Sequence, residues 1–417
     1  MGATMVEKML ARGAGVEEVR PGEVVTCRPD QIVQHDLQTT TAGMWYEPTR
    51  VDDPDKIVVI FDHAVPAPTI HNADGMARGR RFAERFGIRV IDVGQHGISH
   101  QVIAEQGLAL PGELLICSDS HTCAGGAFNC AARGTPAAET LGAIVKGQVW
   151  FIVGETIRYA FEGALAPLVT GKDAFFHIAS EYGGHSGRNV EFGGPALASL
   201  PLSERRTIAT MCAEISAEFA VFEHDAVLDA YLADRAARPY TPVAPDADAT
   251  YEAVRTVDLS SLEPYVMRPD FVPNNGLPVS QFDGGVRIDQ AFVGSCANGK
   301  IEDLRLAAEV VRGHRIAAGV RFLVTPASQQ TYLQAVREGI VETLLEAGAV
   351  VTNSTCGACY GGHMGVVGKG EVCITASTRN FKGRMGSPDA RVYMGSPATV
   401  AASALAGEIV DPRLVLA

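Results

Sequence analysis

The sequence predicts an α/β protein with largely parallel sheets, divided into more than one domain. Short apolar runs rich in β-branched residues alternate with longer segments of helical periodicity, which is the pattern of strands joined by crossover helices. The chain has 417 residues, more than one hydrophobic core usually holds, so two to four domains are expected. Hydrophobic residues make up 47% and charged residues 20%, as in ordinary globular proteins.

Eight runs are predicted to be strands because they are apolar, short and bounded by turn residues. These runs are residues 56–61, 88–93, 113–117, 290–293, 320–324, 349–352, 371–376 and 391–394. Apolar spacing predicts helices over residues 301–312, 329–338 and 397–405. Ser396 is the expected N-cap of the last helix, which begins with a proline.

Two changes in pattern suggest where the chain divides. Residues 238–270 are rich in Pro, Asp and Ala and are predicted to be a long connection. Residues 157–232 are more helical and contain a glycine-rich turn at 183–187. We therefore predict three α/β domains around a central cleft, at residues 1–160, 161–287 and 288–417.

Charge and composition narrow the classes of function. The formal net charge of −13 disfavours nucleic acid and anionic membranes as partners, because both require a concentrated basic surface. The N-terminus lacks the apolar region of a signal peptide, and no run approaches the ~18 apolar residues of a membrane helix. Nine scattered cysteines, an odd number, argue against a disulfide framework. A cytoplasmic protein is expected.

Polar, reactive residues follow most of the predicted strands directly. The segments FDHAVP, VGQHGISH and SDSHT follow the first three strands, and GSCANG, NSTCGAC and STRNFKGR follow later ones. In α/β sheets, ligands bind beyond the carboxyl ends of the strands. We therefore expect these loops to converge on one cleft.

Three cysteines have the arrangement of a metal or cluster site. Cys356 and Cys359 form a Cys-x-x-Cys motif, and Cys296 lies in a distant loop. With His363 as a fourth ligand, the same set would suit zinc. The small residues around each cysteine favour a bulkier cofactor that the backbone approaches closely. Spacing alone does not decide between zinc and the bulkier cofactor.

Histidines and carboxylates cluster in the first third of the chain, near the predicted strand ends. They are His35-Asp36, Asp62-His63, His96, His100 and Asp119-Ser120-His121. A histidine paired with a carboxylate has a fixed tautomer and a tuned basicity, which suits proton transfer. Beside a Lewis-acidic metal, such groups favour elimination or hydration chemistry. Arg379 and Arg384 follow a later strand and are candidate carboxylate binders.

The motifs together resemble one family. CSDSHTCAGGAF, FVGSCANGKIEDLR and CGACYGGHMGVVGKGEVCITASTRNFKGRMG are similar to segments of the aconitase superfamily, especially of its isopropylmalate isomerase and homoaconitase large subunits. The likeness runs in order from QHDLQTTTAG to VYMGSPATVAASALAGEIVDP. It implies three aconitase-like α/β domains and a hydro-lyase that acts on a small 2-hydroxy di- or tricarboxylic acid.

The resemblance also implies roles for individual residues by motif match. The ligands of a 4Fe–4S cluster with one open iron would be Cys296, Cys356 and Cys359. The catalytic pairs would be Asp62 with His63, Asp119 with His100, and Glu214 with His121. Substrate would be bound by His35, Ser120, Arg379 and Arg384, with Asn298, Asn380, Thr210 and Thr378 supporting the site.

In the mechanism that the resemblance implies, the open iron binds the substrate hydroxyl and one carboxylate. A base removes the proton α to a carboxylate, and His63, held by Asp62, protonates the leaving hydroxyl. Water adds again to give an isomer, or does not, which gives a plain dehydratase. The swivelling fourth domain that supplies the base is missing from the matched segments, so a separate small subunit is expected.

Several positions depart from the family pattern. Thr210 and Thr378 replace residues that are usually Asn, Ala297 replaces a Thr, and Ser354-Thr355 replace Pro-Gly. The hydrogen bonding around the cofactor must therefore differ. These departures are compatible with an alternative, a specialised dehydratase that has an altered cluster or a site for zinc or another metal. The charge disfavours an apo-form that binds RNA, and the intact motifs disfavour a degenerate subunit that serves only as a scaffold.

Overall fold

In the computed structural model, residues 2–41 and 43–415 are described. The strands of these ranges form three sheets that are wholly or mainly parallel and one two-stranded antiparallel ribbon. Helices connect the parallel strands, as the alternating sequence pattern predicts. In this described part of the chain, no helix is both long enough and apolar enough to cross a membrane.

The first sheet is built from the N-terminal third of the chain. The strands of this region are β1 Val24–Cys27, β2 Gln31–His35, β3 Ile57–Ile60, β4 Arg89–Ile91, β5 Leu114–Cys117, β6 Ala131–Gly134 and β7 Val149–Ile152. Its helices are α1 Met5–Ala14, α2 Asp36–Thr40, α3 Ile70–Phe86, α4 Ser99–Glu105 and α5 Ala137–Lys146. The sheet order is β4-β3-β2-β5-β6, all parallel, while β1 and β7 form the antiparallel ribbon.

The second sheet has four parallel strands in the order β10-β9-β8-β11. Its strands are β8 Glu155–Glu162, β9 Arg188–Gly193, β10 Ala220–Phe222 and β11 Ala253–Asp258. Its helices are α6 Gly171–Tyr182, α7 Leu202–Met211 and α8 Ala226–Leu232. A 3-10 helix, Cys212–Ile215, continues directly from α7 and carries Glu214.

The third sheet has seven strands in the order β13-β12-β18-β17-β14-β15-β16. Its strands are β12 Tyr265–Met267, β13 Gly276–Pro278, β14 Gln290–Val293, β15 Arg321–Val324, β16 Val350–Val351, β17 Val372–Thr375 and β18 Arg391–Met394. Its helices are α9 Ser295–Asn298, α10 Ile301–Val311, α11 Gln329–Arg337, α12 Ile340–Ala347, α13 Pro397–Ala406 and α14 Pro412–Val415. The pairs β12–β13 and β12–β18 are antiparallel, and the other pairs of this sheet as described are parallel.

The first and third sheets share one topology, which determines where a site can form. In the first, the chain runs from β2 through β3 to β4 on one side and then returns to β5 and β6 on the other. In the third, it runs from β14 to β16 on one side and returns to β17 and β18 on the other. A crevice opens at the carboxyl ends of the strands where the direction reverses. The switch points therefore lie between β2 and β5 and between β14 and β17.

The eight predicted strands are confirmed, six of them with ends that differ by one or two residues. The three predicted helices are confirmed as well, and Ser396 accepts a hydrogen bond from the Thr399 amide as N-cap. The sequence prediction missed the central strand β2 and the edge strand β6 of the first sheet, both strands of the ribbon, all of the second sheet, and β12 and β13 of the third. The prediction that residues 238–270 are an irregular connection was wrong, because β11 and β12 lie there and pair with β8 and β18.

The three-domain division stays a prediction. The strands of the three sheets span residues 31–134, 155–258 and 265–394. A limit at residue 160 therefore falls within β8, and a limit at residue 287 separates β12 and β13 from the sheet to which they belong. Limits near residues 154 and 262 would keep each sheet whole.

Candidate active site

The three candidate cysteines lie around one small buried cavity. Cys296, Cys356 and Cys359 all line it, although more than 50 residues separate the first from the other two. The other lining residues come from the loops of the first and third sheets: Asp62, His63, Ile98, His100, Asp119, His121, Ser295, Thr378 and Arg384. The convergence of loops that the sequence predicts is therefore present in the fold.

The cysteine loops are held in place by backbone contacts. Cys296 follows β14 closely, and its neighbour Ser295 has a left-handed φ of 75°, a conformation that non-glycine residues rarely adopt. The Thr355 hydroxyl donates to the carbonyl oxygens of Asp62 and His63, at 3.0 and 2.9 Å. The Cys356 amide donates to the Asp62 carbonyl at 3.1 Å. The cysteine loop and the histidine loop after β3 thus form one unit.

Asp62 and His63 form a buried pair at the end of β3. His63 Nδ1 donates to Asp62 Oδ1 at 2.7 Å. Although burial alone would lower it, the charge of Asp62 and its hydrogen bond raise the pKa of His63 to about 9. In the same way the pKa of Asp62 is lowered, against the effect of burial, by the charge and hydrogen bond of His63. The two groups therefore form an ion pair. The other ring nitrogen, Nε2, makes no hydrogen bond within the described residues and lies 3.6 Å from Asp119 Oδ2 at the cavity.

Two further residues position this pair, and the sequence prediction did not assign them. Asp36, directly after β2, accepts the backbone amides of residues 62, 63 and 64 at 3.3, 3.0 and 2.7 Å. Ser99 donates both its amide and its hydroxyl to Asp62 Oδ2, at 2.9 and 2.6 Å. The sequence prediction counted Asp36 in the histidine–carboxylate cluster without giving it this role, and nothing in the sequence links Ser99 to Asp62.

The other two predicted pairs share one network. His100 Nε2 donates to Asp119 Oδ1 at 2.8 Å, and His121 Nε2 donates to Glu214 Oε1 at 2.9 Å. Against the effect of burial, hydrogen bonds from His100 and His121 lower the pKa of Asp119 well below its usual range. Asp119 and Glu214 raise the pKa of His121, although burial opposes them. The network therefore keeps Asp119 ionised and favours the protonated form of His121 inside the protein.

A wider cavity of about 590 Å³ opens beside the cysteines. Its polar lining includes His63, Asp119, Ser120, Arg379 and Arg384. Arg384 lines both cavities and donates from Nη2 to Cys359 Sγ at 3.7 Å. Although burial opposes it, the charge of Arg384 lowers the pKa of the Cys359 thiol. The arrangement can receive an anionic molecule at the mouth of the cysteine site.

His35 lies in this wider cavity, but both of its ring nitrogens contact the backbone. Nδ1 accepts the Leu37 amide at 3.2 Å as the N-cap of α2, and Nε2 donates to the Ser118 carbonyl at 2.8 Å. Its ring centroid is 4.8 Å from that of His63. Contact with a ligand would therefore be made through the face of the ring.

The four predicted supporting residues are placed differently from one another. Thr378 lines the cysteine cavity, with Oγ1 3.8 Å from Cys359 Sγ. Thr210 instead bonds its own helix, donating to the Arg206 carbonyl at 2.6 Å. Asn298 donates to Asp303 Oδ1 at 2.9 Å, and Asn380 to the Arg268 carbonyl at 2.6 Å. In the described ranges, only Thr378 of these four residues lines the cysteine cavity.

His363, which would be the fourth ligand of a zinc site, is not among the residues that line the cysteine cavity. Its Nε2 is 2.8 Å from the His63 carbonyl oxygen and donates to it. That nitrogen is therefore not available to a metal, and the other, Nδ1, belongs to a ring outside the cavity lining. The geometry therefore favours the three sulfurs without this histidine.

Comparison with known proteins places the chain in a family. The family model described as the aconitase family (aconitate hydratase) matches residues 8–284 and 280–407. The chain belongs to the aconitase family. It is 56% identical to the 3-isopropylmalate dehydratase large subunit of Mycolicibacterium smegmatis, over 100% of this chain and 98% of the relative.

Other aconitase-family relatives match over similar lengths. The 3-isopropylmalate dehydratase large subunit of Halothermothrix orenii is 40% identical over 100% of both chains. The probable methanogen homoaconitase large subunit of Methanothermobacter thermautotrophicus is 41% identical, over 98% of this chain and 97% of the relative. The predicted family is thereby confirmed, and the parallel sheets with their connecting helices confirm the α/β fold class.

The aconitase-family resemblance implies an iron–sulfur cluster, and the residues of the cavity fit one. All three sulfurs are free thiols in one enclosed space, and thiolates are the usual ligands of such clusters. Within the described residues, one buried donor of the cavity lining, Arg384 Nε, has no hydrogen-bond partner. Unsatisfied donors in a buried cavity are costly unless a ligand accepts from them. A sulfide-rich, anionic group would do so.

Proposed function

We propose that this chain is the large, catalytic subunit of an iron–sulfur hydro-lyase. It dehydrates and rehydrates, and thereby isomerises, a small 2-hydroxy di- or tricarboxylic acid of the isopropylmalate, homocitrate or methylmalate type. The observation that carries the proposal is the single cavity in which three thiols meet the histidine–carboxylate pairs and an arginine. The names of relatives that match the whole chain support the same reaction class.

The cofactor proposed is a 4Fe–4S cluster held by Cys296, Cys356 and Cys359. When bound, such a cluster with one open iron supplies Lewis-acid chemistry toward a hydroxyl group. The protein residues hold and donate the protons of the reaction. Asp62 holds His63 as an imidazolium, so that Nε2 can donate a proton to a departing hydroxyl. The His100–Asp119 and His121–Glu214 pairs hold further protons at the wall of the cavity.

The substrate class follows from the charges at the mouth of the site. Arg379 and Arg384 line the wide cavity together with Ser120, and guanidinium groups bind carboxylates in pairs of hydrogen bonds. Two cations inside a cleft can attract an anionic substrate although the whole chain has a net charge of −13. A molecule with two or more carboxylates matches this arrangement.

A small subunit is part of the proposal. Relatives that match over the full length of this chain are named large subunits. We propose that the missing partner closes the wide cavity and supplies the base and further substrate contacts. A cytoplasmic location is also proposed, because all nine cysteines are free and thiols remain reduced there.

The first experiment tests the cofactor. After anaerobic purification or reconstitution with iron and sulfide, the wild-type chain is expected to be brown and to contain iron and sulfide. Cys356→Ser should lose most of the visible absorbance. The matched control is Cys212→Ser, because Cys212 is buried in the core and donates to the Ile208 carbonyl, which a serine hydroxyl can also do. A colourless wild-type protein with stoichiometric zinc would contradict the proposal.

The second experiment tests the reaction. The chain is co-expressed with its small subunit, and dehydration of 2-hydroxy di- and tricarboxylates is followed by the ultraviolet absorbance of the unsaturated product. At least one isopropylmalate-type acid should react, and Cys356→Ser should be inactive on it. A brown, intact heteromer that acts on no acid of this class would refute the assignment of substrate.

A further inference from the structure

Two lysines are buried next to the cysteine loops, and the proposed reaction uses neither of them. Lys172 lies on α6 with none of its surface exposed, and Lys300, just before α10, is 1% exposed. Neither lines the cysteine cavity or the wide cavity. Burial of an ammonium group costs much free energy unless negative charge or strong acceptors surround it. Their positions therefore require an explanation.

The direct partners of Lys172 are all neutral. Its Nζ donates to the carbonyl oxygens of Ala376 and Ser377, at 2.6 and 2.5 Å. Met211 Sδ is 3.8 Å away, and the centroid of the Phe176 ring is 5.5 Å away. Burial lowers the pKa of Lys172 to about 7, so the described protein alone compensates the charge only in part.

The two carbonyls that Lys172 binds lead directly into the cysteine site. They follow β17, at the switch point of the third sheet, and the next residue is Thr378. Thr378 lines the cysteine cavity, with Oγ1 3.8 Å from Cys359 Sγ. Lys172 thus ties a helix of the second sheet to the peptide that borders Cys359.

Lys300 makes the corresponding contact on the other cysteine loop. Its Nζ donates to the carbonyl of Ala297, the residue after Cys296, and to Thr207 Oγ1 of α7 at 2.9 Å. Unlike Lys172, it is paired with a carboxylate, Asp303 Oδ2 at 2.8 Å. Each lysine therefore connects a helix of the second sheet to one of the loops that border the cysteines.

We infer that Lys172, assisted by Lys300, is a positioning residue for the cluster: it holds the loop beside Cys359 and offsets the negative charge of the thiolate-bound group. The inference rests on the proposed function. Three thiolates around an iron–sulfide core leave the site with a net negative charge. The ammonium group of Lys172, whose direct partners are neutral, attracts that charge in a medium of low dielectric, whereas that of Lys300 is already balanced by Asp303.

The experiment replaces Lys172 by methionine, which has a similar shape and suits the neighbouring Met211 and Phe176. After anaerobic reconstitution, three quantities are measured: iron content, the rate of cluster loss to a chelator, and the reduction potential by a titration followed by electron paramagnetic resonance. Lys172→Met should lose its cluster about 10- to 100-fold faster than wild type. Its potential should be more negative, because reduction adds negative charge that the lysine no longer offsets.

The control is Lys369→Met, which removes the same charge from a side chain that is 83% exposed. The rate of cluster loss and the reduction potential of the cluster should both stay at their wild-type values, since solvent screens the charge of Lys369. Circular dichroism checks the fold of each variant. If Lys172→Met does not fold, Lys172→Gln, which keeps a donor but not the charge, is measured by the same criteria.

The outcomes separate this inference from the proposed function. A wild-type chain that takes up no cluster refutes the proposed function. A wild-type cluster with an unchanged rate and potential in folded Lys172→Met refutes the inference alone. Faster cluster loss at an unchanged potential would show that Lys172 acts through packing only, and the charge compensation would be wrong.

Discussion

Arg379 Nε donates to Glu214 Oε1 at 2.7 Å, and the same oxygen accepts a hydrogen bond from His121 Nε2 at 2.9 Å. Arg379 belongs to the third sheet, Glu214 to the second and His121 to the first. One carboxylate oxygen thus joins all three sheets at the cavity. Because its Nε is occupied, Arg379 has the two terminal nitrogens of its guanidinium left for a ligand.

Glu214→Gln should therefore weaken the hydrogen bonds that hold both His121 and Arg379. A neutral amide oxygen at the Oε1 position accepts both hydrogen bonds more weakly, and the negative charge that favours protonated His121 is lost. With the small subunit present, kcat/KM is expected to fall on the order of 10²-fold. The control is Glu181→Gln, at an exposed position of α6, which should keep wild-type activity. Activity of Glu214→Gln within about twofold of wild type would contradict the role given to this carboxylate.

Asp62→Asn should abolish most of the activity while the fold is kept. The amide keeps its size but turns an NH2 group toward either His63 or Ser99, where the carboxylate accepted from both. His63 then loses the charge that keeps it protonated, and kcat should fall on the order of 10²- to 10⁴-fold.

The matched control for this change is another aspartate–histidine pair. Asp229 Oδ1 accepts from His224 Nε2 at 2.9 Å, but the Asp229 side chain is 55% exposed and belongs to neither cavity. Asp229→Asn should leave kcat unchanged. Equal activities for both variants would show that the buried pair has no part in the reaction.

Gly126→Ala should destabilise the protein. A Cβ at this position, in the 3-10 helix Ser120–Phe128, would lie 1.6 Å from the carbonyl oxygen of Ala220 in β10. Since the clash is with backbone, the helix and the strand must move apart, and the apparent Tm should fall by about 5 °C or more. Gly142→Ala is the control, because a Cβ there, in the middle of α5, has nothing within 4 Å. It should raise the apparent Tm slightly, since alanine favours the helix. Similar melting curves for the two variants would refute the predicted contact.

The stability of the protein should fall between pH 5 and pH 7.5, partly because of Glu191. Burial, opposed by hydrogen bonds from Val6 and Tyr251, raises the pKa of Glu191 to about 7, against 4.5 for an unperturbed side chain. The folded state keeps this proton after the unfolded state has released it. The contribution to stability is therefore full below about pH 4.5 and is lost as the pH rises through the folded pKa.

Glu191→Gln removes the titrating group and retains an acceptor for the Val6 amide. Its apparent Tm should decline less than that of wild type over this pH range in differential scanning calorimetry. Glu162→Gln, at the exposed end of β8, should follow the wild-type curve. If Glu191→Gln and wild type decline in parallel, the buried carboxyl group is not the cause.

Local patterns explain why much of the fold could be predicted. The central strands of the third sheet are apolar and bounded by turns, so β14 and β18 were predicted to the residue. The three longer strands of the second sheet were missed because charged residues interrupt them: for example, β8 carries Arg158 and β9 carries Glu191. In the structure, Arg158 pairs with Glu223 and Glu191 accepts from Val6. Partners so far away in sequence cannot be recognised from a short stretch of chain.

The sequence alone determined which groups would be available: three cysteines, several histidines and carboxylates, and two arginines, most of them shortly after a strand. Local apolar spacing predicts where strands end, and the chemistry of a side chain can be recognised without knowledge of the fold. Only the tertiary structure decided which of these groups meet. Strand order in the third sheet brings Cys296 and Cys359 to one cavity, and the packing of the three sheets places Glu214 against both His121 and Arg379. The reason is physical: most of these contacts join residues tens to hundreds of positions apart, and topology, not local propensity, sets their distances.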